Sequence, residues 1–112
     1  MLFRSLAEQG DARAQFYLGL LYENGDGVPE DYEKAREWYE KSAAQGEANA
    51  QFYLGLLSAF GRGGPLDLVQ AHMWYSLAAG NGHARAALNR NDLAKQMMPA
   101  DRKSTRLNSS HG

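Results

Sequence analysis

Apolar and small residues return every three or four positions over two stretches of the chain. The first holds Ala14, Leu18, Leu21 and Tyr22, and the second Ala35, Trp38, Tyr39, Ser42 and Ala43. That is the period of an amphipathic helix. It predicts a first helix over about 12–23, a second ending near 44, and the same pair over about 48–60 and up to about 79. Gly25 and Gly27, then Gly61 and Gly63, follow the first helices and are suited to the left-handed conformation that stops a helix. Asp31 and Asp67 precede the second helices and are placed to cap them, with Gln70 three positions after Asp67 in a capping-box arrangement.

The pattern repeats as well as alternates. Positions 10–45 compared with the residues 36 places later agree at 18 of 36 positions, including the unbroken block Ala-Gln-Phe-Tyr-Leu-Gly-Leu-Leu at 14–21 and 50–57. A period between 20 and 50 residues is the signature of a solenoid, whose units bury their apolar faces only against neighbours. The expected fold is therefore an all-α solenoid of about two and a half 36-residue helical hairpins. Residues 1–10 read as the end of a preceding repeat, 11–46 and 47–82 as two full repeats, and 83–100 as a C-terminal capping helix. That last helix, over about 84–98, carries Arg90 and Asn91 where earlier units have Leu18 or Leu54 and Gly19 or Gly55. Its buried stripe is expected to be Ala87, Leu88, Ala94 and Met98, with Pro99 ending it. Ser58 in place of Tyr22 and Gly64 in place of Val28 predict a looser connecting loop in the second repeat.

The residues Ala12-x-Ala-Gln-x-x-Leu-Gly-x-x-Tyr22, Gly25-x-Gly-Val-Pro-x-Asp31 and Lys34-Ala35-x-x-Trp38-Tyr39-x-x-x-Ala43-Ala44 resemble the Sel-1-like repeat (SLR), a cousin of the tetratricopeptide repeat. The longer glycine-rich connection and the period of 36 favour SLR over the 34-residue cousin. The resemblance covers residues 1 to about 98. It implies a right-handed superhelix whose first helices line a concave surface that receives partners, a bacterial origin, and roles in signalling or envelope-associated assembly.

Residues 101–111, Asp-Arg-Lys-Ser-Thr-Arg-Leu-Asn-Ser-Ser-His, match in frame the translation of a common short-read library adapter, and 101–112 are excluded from the fold as a non-native tail. Without them the chain carries nine basic against twelve acidic residues, a net −3 in place of −1, so a basic surface for nucleic acid is not expected. No apolar run is long enough to span a bilayer, so membrane insertion is not expected. The chain has no cysteine, which excludes disulfides, thiolate metal sites and a cysteine nucleophile. The compartment, cytoplasmic or periplasmic, stays open.

Candidate chemistry is sparse. His72 and His83 stand eleven residues apart with no carboxylate at metal-ligand spacing. The acidic set Glu30, Asp31, Glu33, Glu37 and Glu40 lies along the start and outer face of one helix, where it offsets the helix dipole and keeps the surface solvated. Gly61-Arg62-Gly63-Gly64 matches the repeat turn and lacks the Gly-Lys-Ser/Thr ending of a phosphate loop. No catalytic residue, cofactor or metal is therefore expected. The remaining candidates are Arg13, Tyr17, Leu20 and Glu23 with Asn49, Tyr53 and Leu56, on the face of each first helix away from the Ala14, Leu18, Tyr22 stripe. Either they form a partner-binding groove or they pack between neighbouring repeats. The expected function is a non-enzymatic adaptor that binds a protein or peptide on the concave face. The alternative is a glycan-binding or hydrolase-associated module of the cell envelope.

Overall fold

The computed structural model describes residues 2–97, with backbone only at 2 and 3; the adapter-like tail, Met98 and Pro99 lie outside the described residues. Six helices follow one another: α1 (Leu2–Glu8), α2 (Ala12–Asn24), α3 (Tyr32–Ala43), α4 (Ala48–Phe60), α5 (Leu68–Gly80) and α6 (Ala84–Met97). Among the described residues there is no strand. Helices adjacent in sequence pack on one another, α2 on α3 and α4 on α5 as hairpins, with α3 on α4 joining the two. The result is the expected all-α solenoid.

Local chemistry accounts for the helix ends. Asp31 and Asp67 each accept a hydrogen bond from the backbone amide three residues on, Lys34 and Gln70, at 3.0 Å. The starts of α2, α4 and α6 use three different side chains at one repeat position. Asp11 accepts from the Ala14 amide at 2.8 Å, Glu47 from Asn49 at 3.1 Å, and His83 through Nδ1 from Ala86 at 3.1 Å. Each satisfies an amide that the helix leaves unpaired. At the other end, Gly25 (φ 69°) and Gly61 (φ 64°) close α2 and α4 in the left-handed region, which L side chains rarely adopt.

Two linked clusters form the core. Ala7, Ala14, Leu18, Tyr22, Ala35, Tyr39, Ala50 and Leu54 belong to the first; Phe52, Ala71, Tyr75, Ala78, Ala86 and Leu93 make the second, and Tyr53 packs against both. Close approach inside each hairpin depends on Gly19 and Gly55. A Cβ on Gly19 would lie 2.5 Å from Cδ1 of Tyr39, and one on Gly55 equally close to Cδ1 of Tyr75. The glycine is therefore the socket for the tyrosine ring of the following helix. Two buried glutamines tie successive hairpins: Gln15 donates to the Ala7 carbonyl and Gln51 to the Ala43 carbonyl, both at 3.1 Å. Their own oxygens accept from Gln45 and Asn81 at 2.9 Å. Every polar group of this staple is thus paired, as burial demands.

Two expectations need correction. The second connecting loop is not looser. Its bonds Arg62 to the Leu57 carbonyl and Asp67 to the Ser58 carbonyl reproduce Asp26 to Leu21 and Asp31 to Tyr22, all at 2.9 Å. Arg36 reaches toward the place of the missing tyrosine ring, donating through Nη2 to the buried Ser58 hydroxyl at 3.1 Å, while Nη1 lies 3.3 Å from where a Gly64 Cβ would stand and is buried without a hydrogen-bond partner. The stripe assigned to the last helix is also displaced. Ala86 and Leu93 are buried, Ala87 and Ala94 only partly, and Leu88 is 66% exposed, with Met98 outside the described residues. Ala86 and Leu93 stand 36 positions after Ala50 and Leu57, so α6 keeps the register of the earlier first helices. Leu88 falls instead at the register of Phe16 and Phe52, whose rings are met by Tyr53 and His83 of the hairpin that follows.

Candidate functional site

Helices α2 and α4 turn one face away from their hairpin partners, and α6 turns the matching face away from α5. On α2 that face carries Arg13, Tyr17, Leu20 and Asn24; on α4, Asn49, Tyr53, Leu56 and Phe60; on α6, Arg85, Asn89, Asp92 and Gln96. These residues follow one another at helical spacing and opposite the buried set, so three short helices build one continuous strip.

The seven residues singled out from sequence divide within this strip. Arg13 and Asn49 are exposed, and Tyr17 is 40% exposed with its ring 5.5 Å from that of Phe16. Leu20 packs partly on the first cluster and Leu56 on the second. Tyr53 is a packing residue. Its ring meets Phe16 at 5.5 Å, Phe52 at 5.6 Å and Tyr39 at 5.6 Å, so it closes the seam between the two hairpins. Glu23 turns toward α3 and accepts a 2.6 Å hydrogen bond from the Tyr39 hydroxyl. Burial first, and that carboxylate second, push the Tyr39 phenol far above its ordinary pKa. Packing between repeats accounts for Tyr53, while Arg13, Tyr17 and Asn49 are exposed.

Sequence reasoning missed the most open aromatic of the strip. Phe60, at the end of α4, is 64% exposed and borders a hollow of about 190 Å³ lined by Leu56, Ala59, Leu68, Tyr75, Asn89 and Asp92 among others. One repeat earlier the matching space is occupied by Tyr53 and by Glu23 on the Tyr39 hydroxyl. In the second repeat Asn89 replaces the tyrosine and Ala59 the glutamate, so the space opens. Burial raises the Tyr75 pKa as it does that of Tyr39, offset in part by a hydrogen bond from Asn89. The available signal was the change from Asn24 to Phe60 at one repeat position.

A larger hollow of about 600 Å³ lies between α1 and α3, lined by Arg4, Tyr22, Lys34, Glu37, Trp38 and Lys41 among others. Its groups already engage one another: Arg4 donates to the Tyr22 hydroxyl at 2.9 Å, and the Lys41 ammonium sits 4.4 Å from the centre of the Trp38 indole. Among the described residues no three of His, Cys, Asp or Glu are grouped to hold a metal ion, and no helix is long and apolar enough to cross a membrane.

The family model of the Sel1 repeat matches residues 12–47 and again 48–83. Among solved structures, a Sel1 repeat protein from Oxalobacter formigenes superposes with a TM-score of 0.80 at 38% identity, over 84% of this chain and 39% of its own. A protective antigen of uropathogenic Escherichia coli strains, displaying an SLR fold, gives 0.82 at 39% identity, over 84% of this chain and 20% of its own. Cysteine rich protein B of Helicobacter pylori gives 0.73 at 26% identity, over 76% of this chain and 64% of its own. The chain therefore spans less than two thirds of each of these structures. No curated protein matches it.

Proposed function

We infer that this chain, which belongs to the Sel1 repeat family, is a non-enzymatic adaptor that binds a protein or peptide along the strip formed by α2, α4 and α6. Sel1 repeats typically mediate protein–protein interaction, and in the resemblance this strip is the concave surface. One observation carries the reading: Phe60, 64% exposed, stands beside a 190 Å³ hollow on the same face as Tyr17. An exposed aromatic beside a preformed apolar hollow with a polar rim is the composition of an interface hot spot. A peptide laid across the helices would place one apolar side chain against Leu56, Leu68 and Phe60. The amides of Asn89 and Gln96 and the Asp92 carboxylate would meet its polar groups at the rim.

The test is selection of peptides from a displayed library on the immobilised 112-residue chain, followed by titration of the winners against Phe60→Asp and Leu56→Asp. Circular dichroism checks that each variant keeps its helices. At least a tenfold loss of affinity is expected for both, and unchanged affinity for a variant on the opposite face such as Met73→Glu. Winners that bind Phe60→Asp and Leu56→Asp as tightly as the parent would sink the reading.

A further inference from the structure

The hollow beside Phe60 is uncharged except at one point. Among the described residues that line it, Leu56, Ala59, Leu68 and Leu93 supply an aliphatic wall, and Asp92 alone carries charge. The positions 36 and 72 residues earlier are Leu56 and Leu20, which pack partly on the core. Helix α6 therefore sets a carboxylate where its two counterparts set an apolar side chain.

Contact with water does not by itself account for the sign of that charge. Helix α6 carries three cations, Arg85, Arg90 and Lys95, and a single acid, and it is the acid that stands at the hollow. Among the described residues the ion pair is Arg36 with Glu40 at 3.8 Å, and Asp92 is in none, although Lys95 follows it by three residues. Arg62 rests on the Phe60 ring at 5.6 Å and on the Tyr32 ring at 5.4 Å, and it does not line the hollow. The Asp92 carboxylate is thus exposed and uncommitted.

Size and lining together define what fits. At about 190 Å³ the hollow is smaller than the roughly 300–1,000 Å³ of a small-molecule site, and suits one side chain of a longer partner. An aliphatic wall with one carboxylate at its rim matches a side chain that is apolar along its stem and cationic at its tip. Lysine and arginine are built in this way, burying their methylenes on apolar surface while the head stays at the polar edge. The exposed Phe60 ring favours arginine, whose guanidinium stacks on an aromatic face and forks onto a carboxylate.

We propose that this hollow is a pocket for a basic side chain of the bound peptide, arginine before lysine, and that Asp92 selects it. The proposal rests on the adaptor reading above and names the chemistry of its anchor. The methylene stem supplies the apolar contact that Leu56 and Leu68 offer, and the cationic head reaches Asp92 with Phe60 beside it.

The test selects peptides from a displayed library on the parent 112-residue chain and, in parallel, on Asp92→Lys, with circular dichroism checking that the variant keeps its helices. Parent winners are expected to share an arginine or lysine that the Asp92→Lys winners lack. Leucine in place of that peptide residue, and Asp92→Asn in the protein, are each expected to weaken binding about fivefold, the scale of a well-placed exposed ion pair. The two changes together cost little more than either alone, since both remove one interaction. Added salt weakens the parent complex more than the Asp92→Asn complex. Winners that need Phe60 and Leu56 but share no basic residue, or that bind Asp92→Asn as tightly as the parent, overturn this proposal and leave the adaptor reading in place. Winners indifferent to Phe60→Asp and Leu56→Asp, or a library that yields no binder, sink both.

Discussion

The first and second repeats have the same skeleton and different skins. Inside, Gly19 and Gly55 receive Tyr39 and Tyr75, Gln15 and Gln51 staple back to the preceding helix, and Asp31 and Asp67 cap the second helices with the same 3.0 Å bond. Outside, α3 presents mixed charge and α5 none. The tyrosine hydroxyl meets Glu23 in one repeat and, at the edge of a hollow, Asn89 in the other. Interior positions are constrained by every neighbour they touch, in both repeats, and a change there opens a void or a clash. Outward positions touch few neighbours, so the two copies of one motif are free to diverge there.

The largest expected effect tests the shared skeleton. Gly19→Ala and Gly55→Ala each drive a methyl into a tyrosine ring, and each is expected to destabilise by about 1–3 kcal/mol despite the better helix propensity of alanine. Denaturant titration reads the loss, and a compensating Tyr39→Leu in the Gly19→Ala background recovers part of it. If either repeat accepts the alanine without loss while the other does not, the equivalence of the two interiors is broken.

Next comes the device found only in the second loop. Arg36→Met removes the guanidinium from Ser58 and is expected to cost about 1 kcal/mol. Hydrogen exchange should quicken at the amides of 61–67 and leave 25–31 unchanged. Equal quickening in both loops would mean that Arg36 supports the hairpin as a whole rather than standing in for the ring of Tyr22.

A similar magnitude separates the two tyrosine hydroxyls. Tyr39→Phe leaves the Glu23 carboxylate without its donor and is expected to lose about 1 kcal/mol, whereas Tyr75→Phe, beside the open hollow, should lose less. Thermal melts of the two variants at one pH make the comparison. A larger loss for Tyr75→Phe reverses the contrast between a filled and an open space.

The smallest effect concerns the helix starts. His83 caps α6 through an unprotonated Nδ1 and stacks on Phe52 at 4.3 Å. Burial, and then the charge of Arg85, lower its pKa. The unfolded chain therefore takes up this proton at a higher pH than the folded chain. The cap's contribution is whole above the ordinary histidine value near 6.5 and is lost as pH falls through the lowered value. Denaturant midpoints measured from pH 7.5 down to 4.5 should show a decline that His83→Asn flattens, since asparagine caps without titrating. An unchanged pH slope in the variant removes His83 as the source of the decline.

Much of this was legible beforehand because it is local. Capping reaches three residues, a left-handed glycine is a property of one residue, and an exact period of 36 makes each repeat a check on the other. The boundaries of α2 and α4 accordingly fall within a residue of where the pattern set them. The candidate surface was half legible. Helical spacing brought Tyr17 and Tyr53 to one face, but whether a tyrosine on that face binds or packs depends on residues 36 positions away. Tyr53 is enclosed because Phe16 and Phe52 flank it, and Tyr17 stays 40% exposed on the same turn of the previous repeat.

From its own order of residues the chain determined that it is a Sel1-type solenoid, how long its hairpins are, and where each helix starts and stops, since these follow from short-range hydrogen bonding and from periodicity. Only the tertiary structure decided that α6 buries Ala86 and Leu93 rather than Leu88, that Arg36 reaches toward the place of a missing ring, that Phe60 borders a hollow, and that the apolar side chains of α5 face water. Burial is a property of neighbours, and those neighbours are set by packing between helices far apart in sequence.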